Sequence, residues 1–211
     1  MTERAQQPTD LELAALISSK ICHDVIGPVG AIYNGLEILD EDDDAQAKTY
    51  ALDVIRNVTE QASARLQFCR FAFGAAGSAG AELDLGEIGR LTGELVKGGK
   101  VQLVWNAQRQ YWPKDWAKLL MNATLLAADC LPRGGVVTVE TGPETAARSF
   151  HIRAQGTNAR VTEEVAQALN GDTQNVDARH VQPFLTHKLS RSANTALAVT
   201  PMDGAVELKA G

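Results

Sequence analysis

The chain of 211 residues is short of cysteine, of basic charge and of unbroken apolar sequence, and each shortage excludes something. Its three cysteines, Cys22, Cys69 and Cys130, are scattered and odd in number. They suit buried thiols in a reducing cytosol and speak against a disulfide framework or a zinc site. Acidic residues outnumber basic ones, which leaves a net charge of −6 and a pI of about 5.2. That balance argues against a nucleic-acid or anionic-membrane surface. No consecutive apolar run approaches the ~20 residues of a membrane span. Met1–Asp10 also lacks the basic and apolar regions of a signal peptide, so a cytoplasmic protein is expected.

What is present begins with heptads. Leu11, Ala15, Ser18, Cys22, Val25, Val29, Ile32, Leu36 and Leu39 alternate steps of four and three along one helix. Thr9 and Glu12 form a capping box at its start. After the acidic turn 40–44, a second seam runs through Leu52, Ile55, Thr59, Ala62, Leu66, Cys69 and Phe73. Two long helices joined by a short turn form an antiparallel hairpin. A lone hairpin buries only one seam, so a homodimer completing a four-helix bundle is expected.

Gly74–Ala81 is made of small residues and marks a linker. The organisation expected is therefore a tail at 1–8, a hairpin domain at 9–73, a linker at 74–81 and a second domain at 82–211. Beyond the linker the pattern is mixed. Asp84 and Glu87 cap a helix to about Val96, Val101–Trp105 is a strand and Lys114–Leu131 an apolar helix. Strands follow at 136–141 and 149–153, helices at 161–169 and 181–192, and a hairpin of strands at 195–200 and 205–209 turns through Asp203-Gly204. The fold class is α+β, with the C-terminal part an α/β sandwich whose helices cover one face of a mixed sheet.

His23 falls one residue off the first seam, on a face that a bundle leaves in water. Neutral imidazole is a competent nucleophile near pH 7. Asp24 is the carboxylate that can hold the second ring N–H or take its proton, although adjacent helical residues do not share a face. Lys20, one turn earlier, can offset the charge of an added phosphoryl group. Pro28 deprives the Asp24 carbonyl of its helical donor and is expected to kink the helix. Gly27 and Gly30 flank it and leave a shallow surface on which another protein's backbone can approach. Ile26 and Tyr33 lie near the same stripe and fit a docking patch. His151, His180 and His187 have no comparable setting and read as surface residues; Trp105, Trp112 and Trp116 read as core.

His23-Asp24-Val25-Ile26-Gly27-Pro28 resembles the H-box of dimeric histidine kinases. Leu119–Ala123, followed by Leu131–Val136, is similar to their N-box helix and its exit into a strand. Taken whole, from about Thr9 to Lys209, the chain resembles the ChpT-type histidine phosphotransferases of alphaproteobacteria. The resemblance implies a phosphorelay intermediate in cell-cycle regulation that accepts a phosphoryl group on His23. It implies the receiver domain of a CckA-like hybrid kinase as donor and CtrA-like and CpdR-like regulators as acceptors.

The departures from the kinase pattern bear on activity. Lys118 stands where a kinase carries a Mg²⁺-holding asparagine, one turn before Asn122. Ala154–Asn158 replaces the adenine-binding aspartate element, and no glycine-rich phosphate loop follows. The expectation is that the chain binds no cofactor, with Mg²⁺ supplied by the partner receiver. Gly27 occupies the position where bifunctional kinases place a water-orienting Thr or Asn, which speaks against dedicated phosphatase chemistry. Two other readings stay open on the sequence: a non-catalytic dimeric receiver-binding adaptor, and a divergent ATP-dependent kinase.

Overall fold

The structure is a computed structural model describing residues 8–41, 44–75, 80–172 and 176–211. Most of the expected tail, the middle of the acidic turn, the centre of the linker and part of the segment after Gly171 lie outside the described residues. Helix α1 spans Asp10–Glu41 and α2 spans Ala45–Ala72. The capping box forms: the Thr9 N–H donates to Glu12 Oε2 at 2.8 Å, and the Glu12 N–H donates to Thr9 Oγ1 at 3.2 Å. Asp44 caps α2 by accepting from the Gln46 N–H at 2.9 Å. α1 runs through Pro28 as one continuous helix.

Leu11, Ala15 and Ser18 at the start of the first seam are all exposed; from Cys22 onward, and from Leu52 to Cys69 on the second seam, the positions alternate. Val25, Ile32 and Leu39 on α1 are half-buried, as is Ile55 on α2, while Ala62 and Cys69 are buried. The other series stays in solvent: Cys22, Val29 and Leu36 on α1, and Leu52 and Leu66 on α2. The helices meet closely at Gly35, which is buried; a Cβ there would lie 2.6 Å from Ile55 Cγ1. Heptad period alone did not single out that glycine.

The C-terminal part is built from β1 (Glu82–Asp84), α3 (Leu85–Val96), β2 (Val101–Trp105), β3 (Tyr111–Pro113), α4 (Lys114–Asp129), β4 (Gly135–Thr141), β5 (Phe150–Gln155), α5 (Glu163–Leu169), α6 (Val181–Ser192), β6 (Leu197–Met202) and β7 (Ala205–Ala210). The main sheet has the order β2-β4-β5-β7-β6, with β2 parallel to β4 and the other pairs antiparallel. Val137, Val139, Ile152 and Leu208 alternate inward toward α4, burying one face of the sheet as period two requires. Gly135 enters β4 at φ +149°, where a Cβ would lie 2.2 Å from Gln155 O, so only glycine fits there.

Two features depart from expectation. The ribbon of β1 against β3 is too short to show alternation in sequence. Asp84 does cap α3, accepting from the Gly86 N–H at 2.8 Å, but Glu87 pairs with Arg90 at 2.6 Å instead of joining the cap. Trp112 is fully buried, with its ring edge-on to Trp116 at 5.7 Å, as core residues pack. Phe68 and Ala72, at the end of α2, belong to this same core. The hairpin is therefore rooted in the second domain's interior.

Candidate functional site

The His23 side chain is 88% exposed on the outer side of α1. Its Nδ1 lies 3.6 Å from Asp24 Oδ1, beyond hydrogen-bond length but within reach of a small side-chain rotation. Nε2 is left facing away from that carboxylate. Asp24 is anchored from two sides. Lys20 Nζ donates to its Oδ2 at 3.1 Å. The carbonyl that Pro28 leaves without a donor accepts instead from Arg65 Nη1, at 3.4 Å across the hairpin. Arg65 was missed in the sequence, because matching it to Asp24 requires the register of α2 against α1. Lys20 also differs from expectation: its ammonium is half-buried and committed to Asp24. Coulomb attraction to the carboxylate one turn away holds it there.

The residues expected to form a docking patch come together as the helix repeat demands. Nothing lies within 4 Å of a Cβ built at Gly27 or Gly30. Ile26 and Tyr33 are 69% and 62% exposed. A bare backbone flanked by two apolar side chains therefore adjoins His23. The other histidines are occupied locally. His180 Nδ1 lies 2.8 Å from Asp177 Oδ1, His187 Nδ1 lies 2.8 Å from Leu169 O, and His151 sits between Glu140 and Glu207 on the open face of the sheet.

The region matching the kinase N-box is used structurally. Lys118 is buried, its pKa lowered chiefly by that burial, and its Nζ donates to Gly74 O. Asn122 Nδ2 donates to Ala72 O at 3.2 Å and to Lys118 O at 2.9 Å. Gln182 of α6 then donates to Asn122 O at 2.9 Å. An ammonium cannot ligate a cation, and the Asn122 amide is engaged at both ends, its oxygen accepting from Gln182 Nε2 at 3.3 Å.

A helical hairpin leading into this mixed sandwich is a histidine-kinase-like fold. A model of the histidine phosphotransferase C-terminal domain matches residues 85–204. The protein phosphotransferase ChpT of Brucella abortus (strain 2308) is 40% identical over 195 residues, 90% of each chain. The 1.7 Å structure of a bacterial phosphotransferase superposes with a TM-score of 0.89 at 34% identity, covering 98% of both chains. The histidine kinase ThkA, solved in complex with the response regulator protein TrrA, shares the fold at a TM-score of 0.51 and 12% identity. That match covers 95% of this chain and 61% of the kinase. The chain belongs to the ChpT-type histidine phosphotransferase family.

Proposed function

We propose that His23 is the phosphoacceptor of a multistep phosphorelay, and that this chain passes the group between receiver aspartates. The observation that carries this is an imidazole exposed on a bundle helix, with a carboxylate on its Nδ1 side and bare backbone beside it. With Asp24 on the Nδ1 side, Nε2 is the attacking atom. Its lone pair forms the N–P bond as the O–P bond to the donor's aspartate breaks, and that carboxylate leaves with the electron pair. Asp24 holds the Nδ1 proton meanwhile and offsets the imidazolium charge. Onward transfer is the reverse on a second receiver. Receiver domains dock over Ile26, Gly27, Gly30 and Tyr33 and bring their own Mg²⁺; a CckA-like receiver is the donor, and CtrA-like and CpdR-like receivers are the acceptors. The chain binds no nucleotide, a reading supported by the use of Lys118 and Asn122 as braces.

The protein acts as a cytoplasmic homodimer. The exposed seam series supports this, because apolar side chains at heptad spacing on both helices need a cover. Among the described residues α1 is also the one helix apolar and long enough to cross a membrane, with a window of mean hydropathy 1.2. Lys20, His23 and Asp24 near its middle disfavour that placement, and a second copy accounts for the same apolar side. The test is transfer of labelled phosphate from a pre-phosphorylated CckA-like receiver domain. Wild type takes up acid-labile, base-stable label, and His23→Ala takes up none. Label persisting at His151, His180 or His187 overturns the assignment; no label on wild type leaves the adaptor reading in its place.

A further inference from the structure

Asp24 and His23 are neighbours in the chain, and adjacent helical residues do not share a face. Asp24 Oδ1 nevertheless stands 3.6 Å from His23 Nδ1. The bond that accounts for this comes from Lys20, one turn earlier, whose Nζ donates to Asp24 Oδ2 at 3.1 Å. Helical side chains lean toward the N-terminus, so an ammonium four residues back draws the carboxylate along α1 toward the turn that carries the imidazole. The two oxygens are thereby sorted: Oδ2 is taken, and Oδ1 has no hydrogen-bond partner among the described residues. The pair is mostly covered while the ring stands in water, which protects the pairing from solvent screening.

Lys20 and Asp24 also line a cleft of about 400 Å³ between the hairpin and the second domain. Its other charged groups are Arg65 from α2, Lys97 and Lys100 from the α3–β2 loop, and Asp129 from the end of α4. Asp129 is solvent-accessible, yet crowding by the surrounding protein pushes its carboxyl up to about 6. None of the four is ion-paired with Lys20 or with the Asp24 carboxylate, and Arg65 meets only the Asp24 carbonyl. Among the described residues, Lys20 is the one lysine or arginine bonded to that carboxylate.

We propose that Lys20 is a positioning residue for phosphotransfer: by holding Oδ2 of Asp24 it turns Oδ1 to the Nδ1–H of His23, which leaves the lone pair on Nε2. This rests on His23 as the phosphoacceptor. In order of contact the ammonium meets Oδ2, Oδ1 faces Nδ1, and Nε2 is the ring nitrogen left for the phosphoryl group. Lys20 thus acts through the carboxylate and not on the incoming group. The gap of 3.6 Å closes in the complex with a receiver, as catalytic hydrogen bonds that are long in a free protein commonly do. Without Lys20 the carboxylate is left to water and to the other cations of the cleft, and nothing selects the Nδ1–H tautomer. No atom of Lys20 enters the transfer; the N–P bond forms at His23 Nε2 as the aspartyl O–P bond breaks.

The experiment uses the full chain with nitrogen-labelled histidine, and a receiver domain phosphorylated beforehand with acetyl phosphate and Mg²⁺. Lys20→Met is expected to slow transfer roughly tenfold, the cost of a misplaced catalytic group. Receiver affinity and helical circular dichroism should stay unchanged. In the free protein the nitrogen spectrum of the neutral His23 ring should move from Nδ1–H toward Nε2–H, as it should in Asp24→Ala. Lys20→Arg, which keeps a cation within reach of Oδ2, should recover both the rate and the tautomer, and Lys20→Met should add nothing once Asp24 is already Ala. A wild-type rate or an unmoved tautomer in Lys20→Met overturns the proposal. So do losses that multiply in the double variant, since they would place the ammonium on the phosphoryl group itself. His23→Ala is run in parallel: label on that variant overturns the phosphoacceptor reading itself, whereas a silent His23→Ala with an unmoved tautomer in Lys20→Met overturns only the role of Lys20.

Discussion

At the scale of single residues, the site works through what is absent around it. Gly30 has open space where a Cβ would stand, so a large side chain fits the folded protein and projects into the approach proposed for a receiver. Gly30→Trp is expected to leave the helical circular dichroism unchanged and to abolish transfer, with receiver affinity falling in parallel. Near-wild-type transfer and affinity would move the interface elsewhere. Asp129 offers a test of a different kind. Its folded-state pKa, about 6, lies above the ordinary carboxylate value, so between roughly pH 4 and 6 the folded chain binds more protons than the unfolded one. Stability therefore falls as pH rises through that window, and the cost persists above it. Discounted for the solvent access of Asp129, the cost is about 1 kcal/mol. Asp129→Asn should accordingly raise the thermal midpoint at pH 8 by about 2–4 °C and leave it unchanged at pH 4. An equal shift at both pH values would mean that Asp129 carries no such penalty.

At the scale of elements, the hairpin carries two apolar surfaces of different fate. One joins α1 to α2 and closes tightly at Gly35 against Ile55. Gly35→Val overpacks that contact and should cost about 1–3 kcal/mol in urea unfolding without touching His23. The other surface, with Val29, Leu36, Leu52 and Leu66 in water, is the one we propose a second copy covers. A charge placed at Leu36 leaves the folded monomer intact, because that side chain already meets solvent, but it is penalised in a dimer core. Leu36→Glu should therefore run as a folded monomer in light-scattering chromatography, and a stable dimer would refute the seam. Heptad spacing identified both surfaces together. Period 3.5 reports that a position is apolar on the seam, and only the crossing of α2 over α1 decides which half of the seam is satisfied inside one chain.

At the scale of the whole molecule, the small-residue stretch at 74–81 reads as a flexible boundary, yet the cores on either side of it are continuous. Phe68 and Ala72 pack among the residues of α4 and the sheet, and Lys118 and Asn122 bond to carbonyls at the end of α2. The two parts should unfold together. Lys118→Met with Asn122→Ala removes the brace and is expected to split the single calorimetric transition in two; one unchanged transition would show the apolar contact sufficient. Much was legible in the chain before any fold was built. The capping box, the helix limits, the C-terminal strand hairpin and the exposure of His23 follow from local periodicity and capping chemistry, which depend on residues a few positions apart. The H-box patch was legible for the same reason, since Ile26, Gly27, Gly30 and Tyr33 lie within three turns of His23 on one helix. What needed tertiary structure joins residues distant in sequence: Arg65 to the Asp24 carbonyl, Lys118 to Gly74, Asn122 to Ala72, and Asp129 into the cleft with Lys20. No period or propensity encodes those pairings, because each is fixed by how separate elements cross and by the need to satisfy polar groups that the crossing takes out of water.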